Sequence, residues 1–218
     1  MPPYCAYGTV LAMMRERALA AEVVADIVGI GRFAASRGWV PATSGNFSRR
    51  IDDSTVAITR SGVDKGALTE REIAVISLDE PLPIGVSAET PLHVARYQAD
   101  STVGAILHVH TLAATVLSQM DQASGAITIE GYEMQKALAG VTTHEGSIRL
   151  PVFANAQDTG SLAERIESAL GDETSLPGYV LAGHGLYAWG ATMADAKRHL
   201  EGLEFLLQCV FEERRFRA

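Results

Sequence analysis

Cysteine is scarce: the 218-residue chain has two, Cys5 and Cys209, far apart in sequence. This argues against a disulfide scaffold and fits a reducing compartment. Positive charge is also in deficit. Eighteen Lys and Arg face 26 Asp and Glu, a net charge of −8. Nucleic acid and anionic membrane surfaces both need concentrated Lys and Arg, so neither is expected as the main partner. A small anionic substrate needs only a local positive site. No run approaches the roughly 18 apolar residues of a membrane span. The apolar stretch from Tyr4 to Met14 is too short for one and lacks the basic start of a secretory leader. Repeats, linkers and low-complexity tracts are missing as well. What is present, 47% hydrophobic and 20% charged residues, is enough to bury a sizeable core. The expectation is one soluble, cytoplasmic domain over residues 1–218, with 1–17 as a peripheral N-terminal extension.

Helix and strand signals alternate along the chain. Leu19, Val23, Ile27, Ile30 and Phe33 fall on one helical face, weakened by Gly29 and Gly31 and stopped at Gly38. Phe47 to Ile51 and Thr55 to Thr59 read as strands joined at Asp52-Asp53. Thr69 and Glu72 are spaced as a capping box before a strand from Ile73 to Leu78. Thr90-Pro91 opens a helix to Gln98, and the β-branched run Val103 to Val109 reads as a buried strand. Helices follow at Leu112 to Gln119, Tyr132 to Leu138 and Ser161 to Leu170. Strands are expected at Ile148 to Phe153, Tyr179 to Leu181 and Gly185 to Trp189, and a long helix from Met193 to Phe211. This order predicts an α/β domain of three αβα layers, its central sheet mixed rather than purely parallel.

The sharpest local feature is His108-Val109-His110 inside an apolar strand. Residues i and i+2 of a strand share a face, so the two imidazoles lie side by side and can bind one ion. Catalytic zinc takes three protein ligands and keeps an open position. His184, flanked by Gly183 and Gly185, is the best third ligand, because glycine lets the backbone turn and approach another element. A lone H-x-H is more often a hydrogen-bonded core pair; the flanked His184 brings the two readings to parity. His93, four residues after Glu89, is spaced to share a site with it, although such a pair is more often a solvated helical contact. His144 and His199 read as surface.

Two loops offer anion-binding groups. Thr43-Ser44-Gly45-Asn46 supplies hydroxyls, an amide and a relaxed backbone. Arg60-Ser61-Gly62 and Lys65 add a hydroxyl and two positive charges, and Ser87 stands before a helix start. Each loop taken alone reads as an ordinary turn. Neither matches the nucleotide patterns G-x-x-x-x-G-K-[ST] or G-x-G-x-x-G. Glu89 and Glu133 are the candidate acid/bases near the histidines, with Glu130 not separable from Glu133 by spacing.

Taken in order, Ser44-Gly45-Asn46, Ser61-Gly62, Ser87-Ala88-Glu89, His108-Val109-His110 and Gly183-His184-Gly185 form a set that resembles the class II aldolase family from about Leu19 to Val210. Four longer stretches resemble its dehydratase branch: Ile58 to Gly66, Ser87 to His93, Glu133 to Leu138 and His184 to Gly190. The resemblance implies a single class II aldolase-like domain with a largely antiparallel sheet. It implies one Zn2+ per subunit, held by His108, His110 and His184. Ser44, Gly45, Asn46, Ser61, Gly62, Lys65 and Ser87 would lie around the phosphate of a sugar phosphate. Glu133 would be the acid/base, in a homotetramer with sites near subunit interfaces. The implied reaction is loss of water from a ketose phosphate carrying a methylthio group, in methionine salvage. Aldol cleavage or epimerisation by the same metal-assisted enolisation is the alternative. Glu89 occupies the position of the acid/base in the family's aldolases, so the choice between Glu89 and Glu133 stays open. Tyr132, Met134 and Trp189 are candidates for the methylthio pocket.

Overall fold

The computed structural model describes residues 21–171 and 176–217. The expected extension, the Tyr4 to Met14 stretch, Leu19 and Cys5 lie outside the described residues. Eight strands form one sheet: β1 (Asn46–Arg50), β2 (Thr55–Thr59), β3 (Ile73–Ser77), β4 (Ala105–Val109), β5 (Ala126–Glu130), β6 (Ser147–Phe153), β7 (Gly178–Leu181) and β8 (Gly185–Gly190). Their spatial order is β3-β2-β1-β4-β8-β7-β6-β5. Only β6 and β7 pair in parallel; every other neighbouring pair is antiparallel.

The strand pattern sorts the helices onto two faces. Ala105, Leu107 and Val109 of β4 share one core with helix α1 (residues 21–36), α3 (Leu112–Met120) and α5 (Met193–Arg217). Ile106 points the other way, into a core with Leu92 and Tyr97 of α2 (Thr90–Ala99) and Leu162 and Ile166 of α4 (Thr159–Leu170). The period of two thus places His108 on the α2/α4 face. The predicted three-layer, largely antiparallel architecture is the one observed.

Local signals explain several boundaries. Thr69 and Glu72 form the expected capping box. Helix α1 stops at Gly38, whose φ of 70° suits glycine. Gly31 is no mere weak point of that helix: a Cβ there would lie 2.3 Å from the Lys65 carbonyl oxygen, so only glycine admits the Lys65 turn. Strand β5 was not anticipated. Its signal is plain alternation, Ile127 and Ile129 buried, Thr128 and Glu130 exposed.

Gly185 permits a close approach of β4 and β8. An added Cβ would stand 2.3 Å from the Val109 carbonyl oxygen and 3.0 Å from His108 Cε1. Gly185→Ala is expected to cost about 1–3 kcal/mol through forced separation of β4 and β8. The shift in denaturant midpoint measures it; an unchanged midpoint would contradict this packing.

Candidate metal centre

His108 lies at the middle of the sheet, its Cα paired with Asn46 of β1 on one side and Tyr187 of β8 on the other. The Tyr187 ring stacks on its imidazole, centroids 3.9 Å apart and planes 16° from parallel. His108 Nδ1 is 3.1 Å from the Leu186 carbonyl oxygen. A carbonyl only accepts, so Nδ1 carries the proton and Nε2 presents its lone pair. His110, just past the strand end, brings its Nε2 to 2.9 Å from that of His108. His184 follows Gly183, whose φ of 63° closes a turn in which the His184 N–H donates to the Leu181 carbonyl. Its Nε2 is 2.7 Å from Glu89 Oε1, and the same oxygen is 3.5 Å from His108 Nε2.

Four potential ligand atoms, from Glu89, His108, His110 and His184, therefore lie within 4.8 Å of one another. The donor set, three imidazole nitrogens and a carboxylate oxygen, suits a divalent transition ion. One observation fits a cation here: the facing Nε2 atoms of His108 and His110 share at most one proton. Glu89 arrives from the N-cap of α2, where it makes no side-chain cap. Its carboxylate turns to the histidines instead, and Asn46 Nδ2 donates to Oε2 at 2.5 Å.

Burial dominates the electrostatics. It pushes His110 and His93 down to about 3 and lowers His108. Burial works to raise the Glu89 carboxyl, but the charge and hydrogen bonds of His108 and His184 hold it well below the usual carboxylate range. His93 gives a testable pH effect. Its folded value of about 3 lies below the ordinary 6.5, so below pH 6.5 the unfolded chain binds a proton that the native chain refuses. Stability from this group is complete above pH 6.5 and falls by about 1.4 kcal/mol per pH unit toward pH 3. Denaturant titrations of metal-free protein between pH 7 and 5 should show midpoints dropping with acid; a flat profile would contradict a neutral buried His93.

The loops converge beside this cluster. Ser44, Gly45, Ser61, Gly62, Lys65 and Ser87 line a cavity of about 110 Å³ together with Thr43, Arg60, Glu89 and His110. Lys65 is buried, and its ammonium donates to the Thr43 and Val63 carbonyls, each at 2.8 Å. One of its three donors remains for a ligand. Those bonds hold the loop in which Ala42 and Thr43 take left-handed φ values of 52° and 65°. A second cavity of about 780 Å³ shares Ser61, Ser87, Glu89 and His110 with the first and also touches His184. Leu92, Leu112, Leu162 and Leu181 line it together with polar side chains such as Thr115, Asn155 and Gln157.

Other expected residues fall elsewhere. Asn46 is buried behind Glu89 and does not line the small cavity. Glu133 is not gathered into the cluster within the chain. It opens a 3-10 turn, its side chain 68% exposed, with Lys136 Nζ at 2.5 Å and His144 Nδ1 at 2.8 Å. Tyr132 donates to Glu213, Met134 lines a groove beside α5 and Trp189 is buried; none lines the two central cavities. His199, expected at the surface, is buried with Nδ1 2.7 Å from the Trp189 carbonyl oxygen. His144 is exposed, as expected. Cys209 is a free, half-buried thiol.

Residues 25–211 match the family described as the class II aldolase and adducin N-terminal domain. The chain belongs to the class II aldolase family. Among curated relatives, it is 46% identical over 193 residues to the methylthioribulose-1-phosphate dehydratase of Parvibaculum lavamentivorans, covering 88% of this chain and 95% of that one. Identity to the dehydratase of the same name from Marinobacter nauticus is 48% over 200 residues, 90% and 96% of the two chains. The L-fuculose-1-phosphate aldolase of Thermus thermophilus superposes with a TM-score of 0.74 at 26% identity, covering 91% of this chain and 98% of its own. Among the described residues, no helix of this family member is long and apolar enough to cross a membrane.

Proposed function

We propose that this protein is a zinc-dependent hydro-lyase that removes water from 5-methylthioribulose 1-phosphate, giving 2,3-diketo-5-methylthiopentyl 1-phosphate in methionine salvage. The observation that carries this reading is near-full-length identity of 46–48% to methylthioribulose-1-phosphate dehydratases. The site supports it from below, because a small polar cavity and a wider one of mixed polar and leucine lining meet at Glu89 and His110. Phosphate fits the first, and the methylthio end the second.

His108, His110 and His184 would hold the ion, and Glu89 closes its pocket. When bound, zinc acts as a Lewis acid on the substrate ketone and makes the adjacent C3 proton removable. The Ser61 and Ser87 hydroxyls, loop N–H groups and the remaining Lys65 donor hold the phosphate. Glu133 is assigned the C3 proton, supplied to the site by a neighbouring copy in a homotetramer. Its exposure supports that, as do Met134 and Phe205, apolar side chains 40% and 48% exposed in one groove beside it. The C4 hydroxyl then leaves, protonated by the same carboxyl, so that water is lost. The resulting enol becomes the second ketone. The enzyme is placed in the cytoplasm.

Product identification tests the reading. Purified protein and the phosphorylated ketose should yield the diketone phosphate and water. Two smaller carbonyl fragments would establish aldol cleavage instead.

A further inference from the structure

A buried chain of hydrogen bonds runs from the metal cluster into the core, and the reaction scheme leaves it unused. We infer that His93 is a positioning residue: through the Asn46 amide it fixes the orientation of the Glu89 carboxylate. The inference rests on the reading of Glu89 as a wall of the metal pocket.

The donors along the chain can be assigned one by one. A carboxylate only accepts, so the Asn46 amide turns its NH2 toward Glu89 Oε2, at 2.5 Å, and Ser87 Oγ, at 3.2 Å. Its carbonyl oxygen then faces inward, 2.5 Å from His93 Nε2. That nitrogen must be the donor, which leaves Nδ1 as an acceptor. Ser48 Oγ stands 2.7 Å from Nδ1 and donates to it. The Ser48 oxygen in turn accepts from the Tyr97 hydroxyl at 2.9 Å. One direction of donation satisfies every link, and reversing any one sets two acceptors or two donors face to face.

The backbone places these groups deliberately close. Asn46 and Ser48 are i and i+2 on β1, on the His108 face, with Asn46 directly opposite His108. Glu89 and His93 are one helical turn apart at the start of α2. Asn46, Ser48, His93 and Tyr97 are each at most 2% exposed. Water is therefore no substitute partner. A half-satisfied polar chain at this depth is costly, so each link depends on the one before it. Without the His93 donor the buried Asn46 carbonyl oxygen loses its partner, and the amide loses the contact that holds it in place beside Glu89.

Two measurements test this. In zinc-loaded protein with 15N-labelled histidine, nuclear magnetic resonance should show His93 as the Nε2–H tautomer with Nδ1 unprotonated. An Nδ1–H ring or a doubly protonated one would overturn the inference. In chelator competition, His93→Leu should weaken metal binding about 10- to 100-fold, the range for groups that orient metal ligands. Its kcat should fall in parallel, with KM moved less than about threefold. His93→Gln, which returns an amide N–H near the place of Nε2, should recover most of both. A folded His93→Leu variant with unaltered metal affinity would sink the idea. Should that variant fail to fold, the tautomer in unaltered protein still decides. Absence of metal binding in unaltered protein would defeat the metal reading by itself, and the tautomer measurement separates that failure from this one.

Discussion

Glu133→Gln is expected to lower kcat by about 100- to 10,000-fold, the usual contribution of a positioned acid/base, while bound metal stays at one per chain. Glu133 is exposed and, among the described residues, tied to Lys136 and His144, so the isosteric amide costs little stability. Loss of rate at constant midpoint and constant metal content then reports chemistry. A variant with near-full rate would return the proton transfer to Glu89. The same substitution also tests where Glu133 acts. If it serves a neighbour's metal, co-assembly of Glu133→Gln with a chain lacking a metal ligand should restore roughly a quarter of the sites, since each site draws on two chains. No restoration would place base and metal in one chain.

His110→Ala is the partner for that experiment and carries the second large effect. His110 lies past the end of β4, half-buried, and its backbone N–H is held by the Trp39 carbonyl whatever the side chain. His108 is a worse choice, because its ring is packed on Tyr187 in the core. Removing one of three imidazoles should weaken metal binding more than the about 100-fold seen at most for groups that only orient ligands. Diketone formation should fall with it. Chelator competition and elemental analysis measure the first, and product absorbance the second. Full metal binding by His110→Ala would show that the cluster is not the metal site.

The histidine cluster was legible because its signals are local. The period of two puts His108 and His110 on one face, and the paired glycines mark a close approach at His184; Gly185 proves to be hemmed in by Val109 and His108. Glu89 was harder, since its place depends on where α2 begins relative to the sheet, which no spacing reports. Of the two readings of the Glu89–His93 spacing, the solvated pair is the one the buried His93 excludes. The buried face of α2 is Thr90, Leu92, His93 and Tyr97, and its polar members hide the helical pattern while bonding to Ser48 and Asn46 across the layer. Such bonds join residues more than 40 positions apart, and sequence carries no trace of them. His199 was misplaced for a similar reason: it sits in a charged stretch of α5, yet Trp189 and Ala139 of other elements satisfy its ring. Strand β5 was missed although its alternation was there to be read.

One bound metal ion per chain is expected to be required for dehydration by this protein. Metal-stripped protein, titrated with zinc in the presence of 5-methylthioribulose 1-phosphate, tests it most directly. Diketone formation should be absent at the start, rise with added zinc and level off at one equivalent per chain. Full-rate diketone formation by the stripped protein, or carbonyl fragments in place of the diketone, would contradict the account.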